Sequence, residues 1–234
     1  MTQAAIGQDP LRAGGALRTP RAAAVAGIIF SVLLITALTL LRLAAQANPA
    51  VAGIWLTDSG HRAAVAVGLN LVPFAGIAFL WFIGVLRDRI GEREDRFFAT
   101  VFLGSGLLFV GMLFVAAGAA GALVASATSS ALPGSGTLAL GRNVATGLLN
   151  VYAMRMAAVF TLTTVTIARR TQIVSRWLTL AGLACALVLL AGIGITPWVE
   201  LLFPFWILAL SLDLLLAGHR ASSAHRLAEP FNPR

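Results

Sequence analysis

An all-α, polytopic membrane bundle is the fold class the sequence predicts, and three observations predict it. Apolar residues make up 59% of the 234 positions and charged residues only 11%. The apolar residues gather into runs of about twenty, the length that crosses a bilayer core. All seventeen basic residues are arginine, and most of them stand at the ends of those runs. The net charge of +8 is therefore a topology signal and not a nucleic-acid footprint. A lipid bilayer is the expected partner and nucleic acid is not. Arginine without lysine, in a chain rich in alanine and glycine, fits a GC-rich bacterial genome and hence a bacterial inner (plasma) membrane.

Residues 1–21 carry Pro10, Pro20, Gly14 and Gly15 with Arg12, Arg18 and Arg21, a polar lead expected to be mobile and cytoplasmic. The first span is 22–45. Ala45-Gln46-Ala47 fits a signal-cleavage pattern, but the apolar run is about twice the usual length for a signal segment, so a retained helix is expected. The loop 46–63 reads as external, with Ile54-Trp55-Leu56 at the interface and Asp58 or Ser59 capping the next helix. The second span, 64–86, holds Asn70 and Pro73, and its glycines at 68, 76 and 84 allow close approach of neighbouring helices. The ten-residue loop 87–96 is a solvated turn with four arginines and four acids; its arginines assign it to the cytoplasm.

The third span, 97–125, ends in AAGAAGALVA, a small-residue run that predicts a close helix contact. Residues 126–141 are expected to form a flexible external loop. The fourth span is 144–168, the fifth 177–195, and the sixth 199–217, interrupted by Pro204. A turn at Thr196-Pro197-Trp198 joins the last two. Thirteen arginines fall on one set of flanks and three, Arg42, Arg62 and Arg142, on the other. That bias predicts six transmembrane helices with both termini cytoplasmic. The domain reading is an N-terminal cytoplasmic segment 1–21, one six-helix transmembrane domain 22–218, and a cytoplasmic tail 219–234. Glycine- and alanine-rich helix faces would also suit a homo-oligomer.

The fourth span carries the one clear candidate site. Arg155 lies fourteen positions before Arg169, roughly 21 Å deeper along a helix, near mid-membrane. A guanidinium there normally faces a bundle interior or wet cavity and has a partner. Helical spacing puts Leu148, Val151, Tyr152, Arg155, Val159 and Leu162 on one stripe, so Tyr152 could stack on Arg155. Asn150 and the threonines at 161, 163, 164 and 166 add polarity, although threonine can bond its own helix backbone. Partners elsewhere would be Asn70 by depth and Asp213 by charge, Asp213 lying shallower. Arg155 then either staples helices through carbonyls and Asn70, or binds or passes a small anionic or polar solute.

No zinc, nucleophile-turn or phosphate-loop motif is present in the sequence, and the single Cys185 with three scattered histidines offers no ligand set. Neither cofactor nor metal is expected, and an enzyme is the least favoured class. Trp55, Trp198, Trp81 and Trp177 read as interfacial belts, and Trp206 as deep packing beside Pro204.

The run Gly84-Val85-Leu86-Arg87-Asp88-Arg89-Ile90-Gly91-Glu92-Arg93 resembles the G-x-x-x-D-R-x-G-x-R signature between the second and third helices of major facilitator transporters. That resemblance implies a gating role for Asp88 and Arg89. Arg155 matches a buried arginine of that family, but Ala158 and Val159 replace the Gln-Gly pair that follows it there. The whole chain, above all RDRIGEREDRFFATVFLGSGLLF and RWLTLAGLACALVLL, is similar to uncharacterised six-helix membrane proteins of actinobacteria-like bacteria, which implies one domain and no particular activity.

Overall fold

The computed structural model describes residues 10–46, 59–90, 96–128, 135–171, 174–191 and 198–228. Regular structure among them is helical throughout: α1 Pro10–Gln46, α2 Ser59–Ile90, α3 Arg96–Thr128, α4 Ser135–Gly147, a π-helical segment Leu148–Ala153, α5 Met154–Thr171, α6 Arg176–Ala191, a 3-10 turn Val199–Leu201 and α7 Leu202–Ala228. Runs this apolar have no water to satisfy their amides, and a helix is how a single segment satisfies them internally.

Among the described residues, five stretches are long and apolar enough to cross a membrane: Arg21–Ala44, Gly60–Arg87, Phe97–Ser126, Ala139–Arg170 and Val199–Ala217. They overlap five of the six expected spans, and the protein is a membrane-embedded, multi-pass helical protein. The remaining expectation, 177–195, coincides with α6, whose 16 residues extend only about 24 Å; positions 192–195 lie outside the described residues, as do Ala47, the end of the disfavoured signal-cleavage pattern, and the segment holding Trp55 and Asp58.

Several boundaries differ from expectation. The lead at 1–21 is helical from Pro10 onward. Pro10 suits a first helical position, and its alanines, leucines and arginines propagate a helix that the apolar run nucleates, despite the amide that Pro20 lacks. The loop expected at 126–141 is shorter, because α3 continues to Thr128 and α4 begins at Ser135. Pro204 does not interrupt the last helix. It falls in the first turn of α7, where no preceding amide bond is lost. The tail expected from 219 continues α7 to Ala228.

Neighbouring helices pack closely at glycine. Gly68 of α2 lies against Leu41 and the carbonyl of Ala37, Gly106 of α3 against Ile83, and Gly182 of α6 against Val165 and Trp206. Gly76 likewise receives Phe114, whereas nothing approaches Gly84 within 4 Å. The core is built on Phe79. Its ring lies 4.5 Å from that of Phe30, 5.3 Å from Phe109, 5.1 Å from Phe160 and 5.7 Å from Phe203, so α1, α2, α3, α5 and α7 meet at one aromatic hub of fully buried side chains. Edge-on and tilted geometries between such rings are favourable beyond the area they bury. No ring of α6 joins the hub among the described residues. That helix docks on the outside, where the Trp206 indole donates to the Leu178 carbonyl at 3.2 Å.

Candidate functional site

At the end of the bundle where α1 stops and α7 starts, Arg42 meets Glu200. The Arg42 Nη2 is ion-paired with Glu200 Oε1 and also donates to Asn150 Oδ1 at 3.1 Å. Each contributor is placed by its own element. Arg42 closes the apolar run of α1, so its stem lies in the bundle while its head reaches the rim. Glu200 sits in the 3-10 turn leading into α7, where unpaired amides favour an anion. Asn150 belongs to the π-helical segment, in which the Met154 amide bonds back five residues to the Leu149 carbonyl. A π turn carries an extra residue and shifts the side-chain register of the helix beyond it.

Beside this cluster is a cavity of about 150 Å³. Leu38, Leu69, Val72, Leu113 and Ala117 supply apolar walls, and Arg42, Thr146 and Glu200 supply the polar boundary. Glu200 is only 4% exposed, and its second carboxylate oxygen, Oε2, has no hydrogen-bond partner among the described residues. The alanine run of α3 explains the space. Ala116, Ala117 and Ala120 line the cavity while Leu123, in the same run, packs closely on Gly141 of α4, so the small residues give room at one level and the expected close helix contact at another.

Of the residues singled out in the sequence, only Asn150 joins this cluster. The Arg155 Nη1 donates to the Val151 carbonyl of its own chain at 3.2 Å, folding back onto the π-helical segment and not across to another helix. Tyr152 is 57% exposed. Asn70 points outward and donates to the Ala66 carbonyl at 2.8 Å, while its neighbours Leu69 and Val72 face the cavity. Asp213 accepts the Ser175 amide at 3.4 Å, at the turn between α5 and α6. Arg155 and Asn70 thus bond within their own helices and Asp213 reaches the turn between α5 and α6, so neither candidate partner meets Arg155. All four threonines bond the carbonyl four residues before them, which accounts for the polarity of this helix without a ligand. Asp88 and Arg89 lie in the last turn of α2, and their side chains fall outside the described residues.

The described residues include no group of three histidine, cysteine or acidic side chains able to hold a metal ion. Trp206 is buried, and Trp81 and Trp177 are strongly exposed. The Arg42–Glu200 pair escapes a reading of the sequence because each residue, taken alone, looks like an ordinary flank of an apolar run. The signal that could have found it is shared depth: both stand at run ends on the same expected side. The fold and site together define a multi-pass helical membrane protein with an ion-paired, apolar-walled cavity between its helices. No protein-family model, no curated protein and no solved structure matches the chain.

Proposed function

We propose that this protein binds a small solute between its membrane helices, in the cavity beside Arg42 and Glu200, as the recognition step of a carrier. The observation that carries the reading is the juxtaposition of a charge pair, a free carboxylate oxygen and an apolar chamber in one place. Ligand sites are characteristically apolar hollows with a few converging polar groups, and ionisable residues within a membrane are functional candidates by default. The sequence points to Arg155 for solute handling; the cavity argues for Arg42, Glu200 and Asn150 instead. A purely structural role is favoured by one fact, that the pair ties α1 to α7.

Six crossings with both termini on the cytoplasmic side of a bacterial inner membrane belong to the same proposal. Two contacts support them. Arg42 at the end of α1 meets Glu200 at the start of α7, whereas Arg170 at the end of α5 lies 4.8 Å over the ring of Phe98 at the start of α3. On this reading α6 runs from the second end back to the first. If the transporter-like signature also holds, Asp88 and Arg89 gate the far end, since sixteen residues of α2 separate Asp88 from Val72, about 24 Å.

Thermal unfolding in lipid nanodiscs tests the reading, with a panel of small solutes on the native protein and on Ala117→Leu, which fills the cavity and keeps the charge pair. A bound solute at a hundredfold its Kd stabilises by about 2.7 kcal/mol. Solutes that stabilise the native protein alone support binding in the cavity. Solutes that act equally on both proteins, or on neither, leave only the structural role.

A further inference from the structure

We infer that the ligand of this cavity is a small neutral molecule with an apolar body about the size of one benzene ring and a single hydroxyl, which donates its proton to Glu200 Oε2. The inference rests on the binding role proposed above and narrows it to a chemical class.

Size comes first. A cavity of about 150 Å³ walled by aliphatic side chains accepts one benzene-sized molecule, and the half-open pocket here has that volume and a wall that is mainly aliphatic.

Charge comes next. Arg42 and Glu200 already neutralise each other. A cationic ligand would leave the site with net positive charge beside the Arg42 guanidinium, and an anionic one would set two negative charges against a single arginine. Either excess charge is costly where water is scarce. A neutral ligand leaves the balance intact.

Hydrogen bonding then selects among neutral molecules. The Asn150 Oδ1 and the Glu200 Oε1 both accept from Arg42, which leaves Oε2 as the unpartnered acceptor of a residue that is only 4% exposed and borders the pocket. A carboxylate oxygen accepts and cannot donate. A hydrocarbon would leave it unpaired; a hydroxyl pairs it with a charge-assisted bond.

The test is a ¹⁹F NMR titration of 4-fluorophenol, 4-fluorotoluene and 4-fluorobenzylammonium onto the full chain in nanodiscs, with empty nanodiscs subtracting partition into lipid. Fluorophenol should bind saturably and roughly tenfold more tightly than fluorotoluene, as a hydrogen bond to a charged group warrants. The benzylammonium ion should bind more weakly than either. Ala117→Leu should abolish binding of both neutral probes, and Glu200→Gln should bring fluorophenol down to the level of fluorotoluene. Should Glu200→Gln fail to fold, the paired variant Arg42→Met with Glu200→Met keeps the site neutral, removes the acceptor and should abolish the same preference. Equal binding of the two neutral probes, or tighter binding of the cation, overturns the hydroxyl inference and leaves the cavity reading standing. If none of the probes binds, both fall.

Discussion

Arg42 and Glu200 stand 158 residues apart in sequence and join the end of the first helix to the beginning of the last. One-sided loss should be far worse than two-sided loss, because a single substitution strands a charge that its partner had balanced. Arg42→Met alone is expected to cost about 3 kcal/mol, and adding Glu200→Met should recover most of it. Thermal unfolding of both single variants and the double variant gives the coupling directly. Additive losses would mean that the pair contributes no specific stabilisation.

Arg155 and Asn150 should behave oppositely, although the sequence groups them. Arg155→Met gives up one bond to its own helix, worth about 1 kcal/mol, and removes an intramembrane charge, so stability should change little and ligand binding not at all. Asn150→Leu removes an acceptor for Arg42 and should weaken fluorophenol binding. A binding isotherm for each variant separates them, and loss of binding in Arg155→Met would return the site to Arg155.

The apolar spans are legible in the sequence because a run of this length and hydropathy has few uses besides crossing a bilayer, and the exposed tryptophans at their ends are legible with them. Arg155 is legible as an anomaly but not in its resolution, because nothing in a one-dimensional pattern reveals that a long side chain can fold back onto a π-helical carbonyl. The π-helical segment itself leaves no trace in the 3.6-residue periodicity that places Tyr152 and Arg155 on one stripe. Alanines 116, 117 and 120 are small, yet the same residue type serves a tight contact or a void, and only the positions of Leu69 and Leu113 around the same chamber decide which. The Arg42–Glu200 pair requires knowing which helix ends meet.

Phe79→Ala should be among the most damaging single substitutions, at about 3 to 5 kcal/mol, since it empties the centre of a close-packed aromatic cluster. Phe74→Ala, five residues earlier on the outward face of α2, should stay within about 0.5 kcal/mol of the native protein. Thermal unfolding of both variants in nanodiscs provides the comparison.

Glycine positions on different helices should separate just as sharply. An added methyl at Gly182 would stand 2.6 Å from both Val165 Cγ2 and Trp206 Nε1, so Gly182→Ala must displace a stiff side chain or an indole and should cost about 1 to 3 kcal/mol. Gly84 meets nothing within 4 Å, and Gly84→Ala should be neutral or stabilising by up to about 1 kcal/mol. Melting temperatures of the two variants decide the matter.

For topology, impermeant thiol reagents should reach Ser130→Cys from one side of the membrane and both Gly91→Cys and Ser222→Cys from the other. Labelling of Ser222→Cys together with Ser130→Cys would mean that α6 does not cross, leaving five spans.

The ring of Phe79 imposes an order on how the protein comes into being. Its neighbours Phe30 and Phe203 belong to α1 and α7, the earliest and latest of the described helices to leave the ribosome, so the hub stays open on one side until α7 has entered the membrane. Until then, four helices hold a half-built aromatic surface turned toward lipid or toward whatever insertion factor shields it. The carboxylate that completes the Arg42 pair arrives at the same moment, carried three residues ahead of Phe203 on the same stretch of nascent chain. Completion of the core and assembly of the cavity are thereby a single late event, and a chain truncated before residue 200 would have neither.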